Sequence, residues 1–118
     1  MDSNEFVYAL KKVVELSAIS DVGKNLGDLS ITPSDSNSDS KSWYIELDDG
    51  GKECVNQIIE DSIRTAIFGV LCVLDGVRAI EDTMDKGSLE LYFVRDDEKV
   101  LLNDFNEDFL HDIYKSME

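Results

Sequence analysis

The chain has 118 residues, enough for one domain, and 42% of them are hydrophobic, which suits a packed core. Twenty-six acidic against 11 basic residues leave a formal net charge of -15. That excludes ordinary nucleic-acid binding, which needs clustered Lys and Arg to neutralise phosphate, and it opposes docking on anionic membrane surfaces.

From Asp2 to about Ala18 the sequence predicts an amphipathic helix. Asp2 and Glu5 have capping-box spacing, Phe6, Leu10, Val13 and Val14 form an inner stripe, and Lys11, Lys12 and Glu15 face outward. Met1 leads into Asp2, Ser3, Asn4 and Glu5, not into a basic and then apolar stretch, so no secretory signal is expected and the chain is placed in the cytoplasm. Residues 30–42 are mostly Ser, Asp and Asn with Pro33, and they read as a mobile loop that cannot offset its ordering entropy.

Trp43, Ile45 and Leu47 alternate with Tyr44 and Glu46, which predicts a short strand. After the turn Asp48-Asp49-Gly50-Gly51, a long helix is predicted from Lys52 to Asp75. Its first half is amphipathic and its second half is apolar all round, the signature of a buried element, and Gly76 terminates it. Ser88–Arg95 predicts a second strand, turned at Asp96-Asp97 into Glu98–Leu102 as an antiparallel hairpin. Asp104 and Glu107 repeat the capping-box spacing before a terminal helix with Phe105, Phe109, Leu110, Ile113 and Met117 on its inner stripe. The expected fold is a single α+β domain spanning residues 1–118, with an antiparallel sheet of about three strands packed on a long buried central helix between two amphipathic helices.

Cys54 and Cys72 fall on the same predicted helix, ~27 Å apart along its axis, too far for a disulfide and suited to a reducing compartment. With His111 they are too few for a structural zinc site. Asp35, Asn37, Asp39 and Glu46 have calcium-loop spacing, but Ser40 stands where the sharp turn needs glycine, so the stretch reads as a solvated loop. His111, near Glu107 and Asp108, reads as an exposed, salt-linked histidine. Gly50-Gly51-Lys52 lacks the Lys-Ser/Thr ending of a phosphate loop and reads as a strand-to-helix turn. No cofactor, metal or catalytic residue is assigned.

The strongest functional signal is the field of the whole chain. Residues 1–74 carry 13 acids and 6 bases (net -7) and residues 75–118 carry 13 and 5 (net -8), so the charge is spread over the fold. Such a surface suits a basic protein partner. The contact residues expected are Asp48, Asp49, Glu81, Asp82, Asp85, Asp96, Asp97 and Glu98 on turns and connections, with Tyr44 and Tyr92 as aromatic anchors on one sheet face. In size and charge the chain resembles bacterial immunity proteins, which are small, acidic, cytoplasmic inhibitors of toxins, many of them basic nucleases. The resemblance implies a non-enzymatic inhibitor that occludes a cognate toxin. The alternatives are a non-catalytic interaction module or homodimer, and a small metal-dependent hydrolase using paired carboxylates.

Overall fold

The computed structural model describes residues 1–27 and 38–118. The architecture is α+β: helices α1 (Ser3–Leu10), α2 (Leu16–Gly27), α3 (Ser38–Glu46), α4 (Asp49–Leu74) and α5 (Leu110–Ser116), with one antiparallel pair, β1 (Tyr92–Arg95) and β2 (Glu98–Leu101). A π-helical turn, Lys11–Glu15, joins α1 to α2. Among the described residues no helix is long and apolar enough to cross a membrane.

The Asp2 side chain accepts from the Glu5 amide, giving α1 the N-cap that its sequence predicts. The π turn then changes which residues face inward. In an uninterrupted α-helix, Val14 would lie seven residues beyond buried Val7 on the same face. A π turn holds one extra residue, so the inward position moves to Glu15, which is fully buried, while Val13 and Val14 are exposed. The expected stripe therefore holds at Phe6 and Leu10, which pack on the core, and fails after them.

The core joins α1, α4 and α5. Val7, Leu71, Leu110, Ile113 and Tyr114 are buried together, with Phe6, Leu10, Ile67, Phe68, Leu74 and Met117 packed around them. Helix α2 packs on both α4 and α3, and α3 is tied to α4 through the Tyr44–Asn56 hydrogen bond. The molecule measures 50 × 36 × 27 Å with a radius of gyration of 18.3 Å, against about 13.5 Å for a compact chain of this length. Elongation leaves one side of α4 without cover. Gly69, Leu71 and Cys72 are buried, whereas Ala66 and Val70 are exposed, so the second half of this helix is not buried on every face as its composition predicts.

Three further expectations are corrected. Trp43–Leu47 is not a strand, because Ser38–Glu46 is helix α3, and the sheet has two strands instead of three. Five alternating residues are too short to fix the period, and the buried positions of this segment are three apart, as on a helix face. Here Lys41 and Tyr44 are the buried positions, and Trp43 faces solvent. Of the loop expected over 30–42, residues 38–42 belong to α3 and the remainder lies outside the described residues. The terminal helix begins at Leu110, not near Asp104, and Phe105 is exposed.

The hairpin is in the expected register, with Tyr92 opposite Leu101 and Arg95 opposite Glu98. Asp96 takes a φ of +53° in its two-residue turn, a left-handed conformation that Asp tolerates better than most residues. The strand expected from Ser88 is shorter because one side chain replaces the ladder. Asn103 Oδ1 accepts from the Leu91 amide at 2.8 Å, and its Nδ2 donates to the carbonyls of Leu89 at 2.8 Å and Leu74 at 2.6 Å. This one buried amide fastens the hairpin base to the end of α4.

Candidate functional site

The ten residues singled out in the sequence do not form one surface. Asp48 and Asp49 sit at the start of α4, and Glu81, Asp82 and Asp85 lie beyond its end. Twenty-six residues at 1.5 Å rise put ~39 Å of helix between them. Asp96, Asp97 and Glu98 occupy the hairpin tip, ~14 Å from its base for a four-residue strand.

Several already have partners within the fold. Asp48 is the N-cap of α4 and accepts from the Gly51 amide at 2.7 Å. Glu81 Oε2 accepts from the Gly87 amide at 2.6 Å, closing the 81–87 loop. Tyr44 is buried on α3, donates its hydroxyl to Asn56 Oδ1 at 3.0 Å, and has the Lys52 ammonium over its ring. It therefore shares no sheet face with Tyr92 and offers no aromatic anchor. Tyr92 is more exposed, but Lys99 lies 4.1 Å above its ring centroid and its hydroxyl donates to Glu90. The hydrogen bond to Glu90 holds the Tyr92 phenol above its usual range, because ionising it would place two negative charges together. Asp49, Asp82, Asp85, Asp96, Asp97 and Glu98 are exposed.

His111 is not beside Glu107 and Asp108, because those residues precede the first turn of α5. Its Nδ1 lies 2.6 Å from Asp75 Oδ2 and its Nε2 3.4 Å from Asp112 Oδ1. Phe109 stacks on the imidazole and Phe68 meets it edge-on. These contacts orient the ring for packing. Among the described residues, no group of three or more His, Cys, Asp or Glu side chains converges to hold a metal ion.

The concave surface that sequence reasoning missed lies where α4 ends. Gly76 adopts a φ of +77°, and the Val77 and Arg78 amides both donate to the Cys72 carbonyl. The Arg78 guanidinium folds back against Gly69, with one nitrogen 2.6 Å from where a Cβ would stand. The chain from Gly76 to Glu90 is then exposed at every residue, although it carries Val77, Ile80, Met84 and Leu89. Val73, Leu74, Ile80, Leu89 and Phe105 line a groove of about 400 Å³ together with the charged Arg78, Glu81 and Lys86. Val77, Ile80 and Met84 keep the i, i+3, i+7 spacing of a helix, yet they follow the Gly76 stop and lie in irregular chain, so periodicity alone misleads here.

A second cleft lies on the other side of the 104–107 turn. Asp2, Asp104, Glu107 and Asp108 line it with the cation Lys99, in a space of about 540 Å³. Phe105 lines the groove and its neighbour Asp104 lines the cleft. A third cleft, of about 710 Å³, holds Lys11, Arg64 and Lys115 with Asp61 and Glu118. There the buried Glu15 carboxylate receives the Tyr114 hydroxyl and lies 3.2 Å from Lys11 Nζ and 3.7 Å from Arg64 Nε.

No known protein family, no curated protein and no solved structure matches this chain.

Proposed function

We propose that this protein is a non-catalytic, acidic binding inhibitor of the immunity type, which covers a basic partner such as a nuclease toxin. The observation that carries this reading is how the chain uses its few cations. Lys11 and Arg64 face Glu15, and Lys115 faces Glu118. Lys52, Arg95 and Lys99 lie over the rings of Tyr44, Phe93 and Tyr92. These six of the 11 basic side chains are engaged within the fold, Lys41 is buried and Arg78 folds back on Gly69, while carboxylates at Asp49, Asp82, Asp85, Asp96, Asp97 and Glu98 stand in solvent. Complementary potential of this kind speeds encounter with a cationic surface and disfavours acidic competitors.

Neutralisation is the direct test. The protein encoded by the adjacent gene is expressed alone and together with this chain. The expected outcome is toxicity relieved by co-expression, and association in calorimetry that weakens from low to physiological salt. A non-toxic adjacent product that shows no association at low salt overturns the proposal.

A further inference from the structure

We infer that the groove at the end of α4 binds a small amphipathic anion, an apolar chain or ring carrying one carboxylate, whose head is held by Arg78 and Lys86. The inference goes beyond the acidic-inhibitor reading and does not depend on it. Ile80 is 68% and Phe105 56% exposed, although both line a concavity with Val73 and Leu89. Exposed apolar side chains gathered in a concavity mark a binding site far more often than scattered ones do. The space of about 400 Å³ falls within the ~300–1,000 Å³ of small-molecule sites.

Charge selects the occupant, and its sign in the groove is opposite to that of the whole chain. Arg78 and Lys86 both line the groove, against one carboxylate, Glu81. Glu81 Oε2 already accepts from the Gly87 amide at 2.6 Å, and Asp82, Asp85 and Glu90 of the same segment do not line the groove. Six other cations face carboxylates or aromatic rings, whereas among the described residues Arg78 and Lys86 have neither kind of partner. Gly69 fixes where Arg78 lies. With no Cβ there, the guanidinium packs directly on α4, one nitrogen 2.6 Å from the position a Cβ would take, one turn before Val73 on the groove wall. A ligand whose tail covers Ile80 and Phe105 therefore meets two cations with its head, and a carboxylate is the group they bind best. The net charge of -15 opposes delivery of that head by an anionic bilayer, so the occupant is a free molecule.

Four probes titrated into the isotopically labelled full chain at low salt separate tail from head: octanoate, octanol, octyltrimethylammonium and acetate. Octanoate is expected to shift the amides of residues 73–89 and of Phe105, and to bind at least about tenfold more tightly than acetate. It should also bind at least about fivefold more tightly than octyltrimethylammonium, a preference that the field of the whole acidic chain cannot produce. Gly69→Ala sets a methyl group against the guanidinium and displaces it, at a helical position that alanine suits better. That variant and Lys86→Gln should each lower octanoate affinity about two- to fivefold and leave octanol unchanged, whereas Ile80→Ser should weaken both. Amide spectra unchanged outside the groove verify that the variants fold. Octyltrimethylammonium binding as tightly as octanoate, or acetate matching octanoate, would overturn the proposal. Octanoate shifts scattered over the whole surface, or none at all, would overturn it equally. The acidic-inhibitor reading stands or falls separately, on the neutralisation test.

Discussion

Asp75 Oδ2 receives both the backbone amide of His111, at 2.8 Å, and its imidazole Nδ1, at 2.6 Å, while Oδ1 accepts from the Leu110 amide at 3.0 Å. The residue that closes α4 therefore caps α5, some 35 positions later in the chain, in place of a local cap. The Phe109 side chain makes no capping bond. Asp75 is 3% exposed, so its removal strands the buried Leu110 amide and the part-buried His111 amide as well as the imidazole. Asp75→Ala is expected to cost about 3 kcal/mol, from the cap and the unsatisfied donors together. His111→Ala leaves both amide bonds in place and should cost less. Urea unfolding checks both, with the midpoint of the first falling by roughly 1–3 M. Equal losses for the two variants would show that the imidazole contact, not the cap, holds the helices together.

Asn103 carries a comparable load at the hairpin base. Replacing it with Ala leaves the Leu91 amide and the carbonyls of Leu74 and Leu89 without their partners, and about 3 kcal/mol of stability should be lost. Because β1 and β2 form an isolated pair, which is marginal in water, the loss should be local before it is global. Hydrogen exchange reads this out: the Leu91 amide and the β1–β2 ladder should exchange faster in Asn103→Ala at denaturant concentrations where α4 remains protected. Uniform acceleration across α4 and the hairpin would refute the local anchor.

How far the sequence reveals the fold depends on whether a residue's partner is near it in the chain. The Asp2 cap, the long α4 with its Gly76 stop and the Asp96-Asp97 hairpin rest on contacts a few residues apart, and periodicity finds them. Glu15, Tyr44, Asp75 and Asn103 take their positions from partners 99, 12, 35 and up to 29 residues away, which no local pattern encodes. The π turn is a further case, since one extra residue exchanges Val14 for Glu15 on the inner face without any composition cue. For the candidate site, the excess of acid was legible and its distribution was not. Turn propensity marked Asp48 and Asp96, and Glu81 fell on a connecting segment, but the length of α4 separates Asp48 from Glu81 and local hydrogen bonds engage both. The groove went unseen because its lining comes from α4, from an irregular segment and from Phe105.

The two thiols should behave differently. Cys54 is exposed and Cys72 buried, both on α4, with eighteen residues and ~27 Å of helix between them. Dithionitrobenzoate is expected to react with one thiol at once and with the second only as the protein unfolds. Air oxidation should give a linked dimer through Cys54, absent in Cys54→Ser, and no internal disulfide, because the Cα separation far exceeds the ~7 Å limit. Two equally fast thiols would mean that the packing that buries Cys72 opens readily.

Alkaline stability provides a test of the buried Glu15–Tyr114 contact. Burial, and then the hydrogen bond and negative charge of Glu15, hold the Tyr114 phenol well above its ordinary value of 10.0, outweighing the opposite influence of Arg64. The folded protein thus keeps a proton that the unfolded chain releases. As pH rises past about 10 the unfolded state binds fewer protons than the native state, and stability must fall with pH. The contribution is complete below that pH and lost above it. Tyr114→Phe removes the titrating group, so its stability should decline less steeply between pH 9 and 11 than that of the parent chain. At neutral pH the same variant should be less stable by about 1–3 kcal/mol, since buried Glu15 loses a donor. Urea midpoints across this pH range measure both effects, and parallel declines in the two proteins would show that the Tyr114 hydroxyl is not held protonated by the fold.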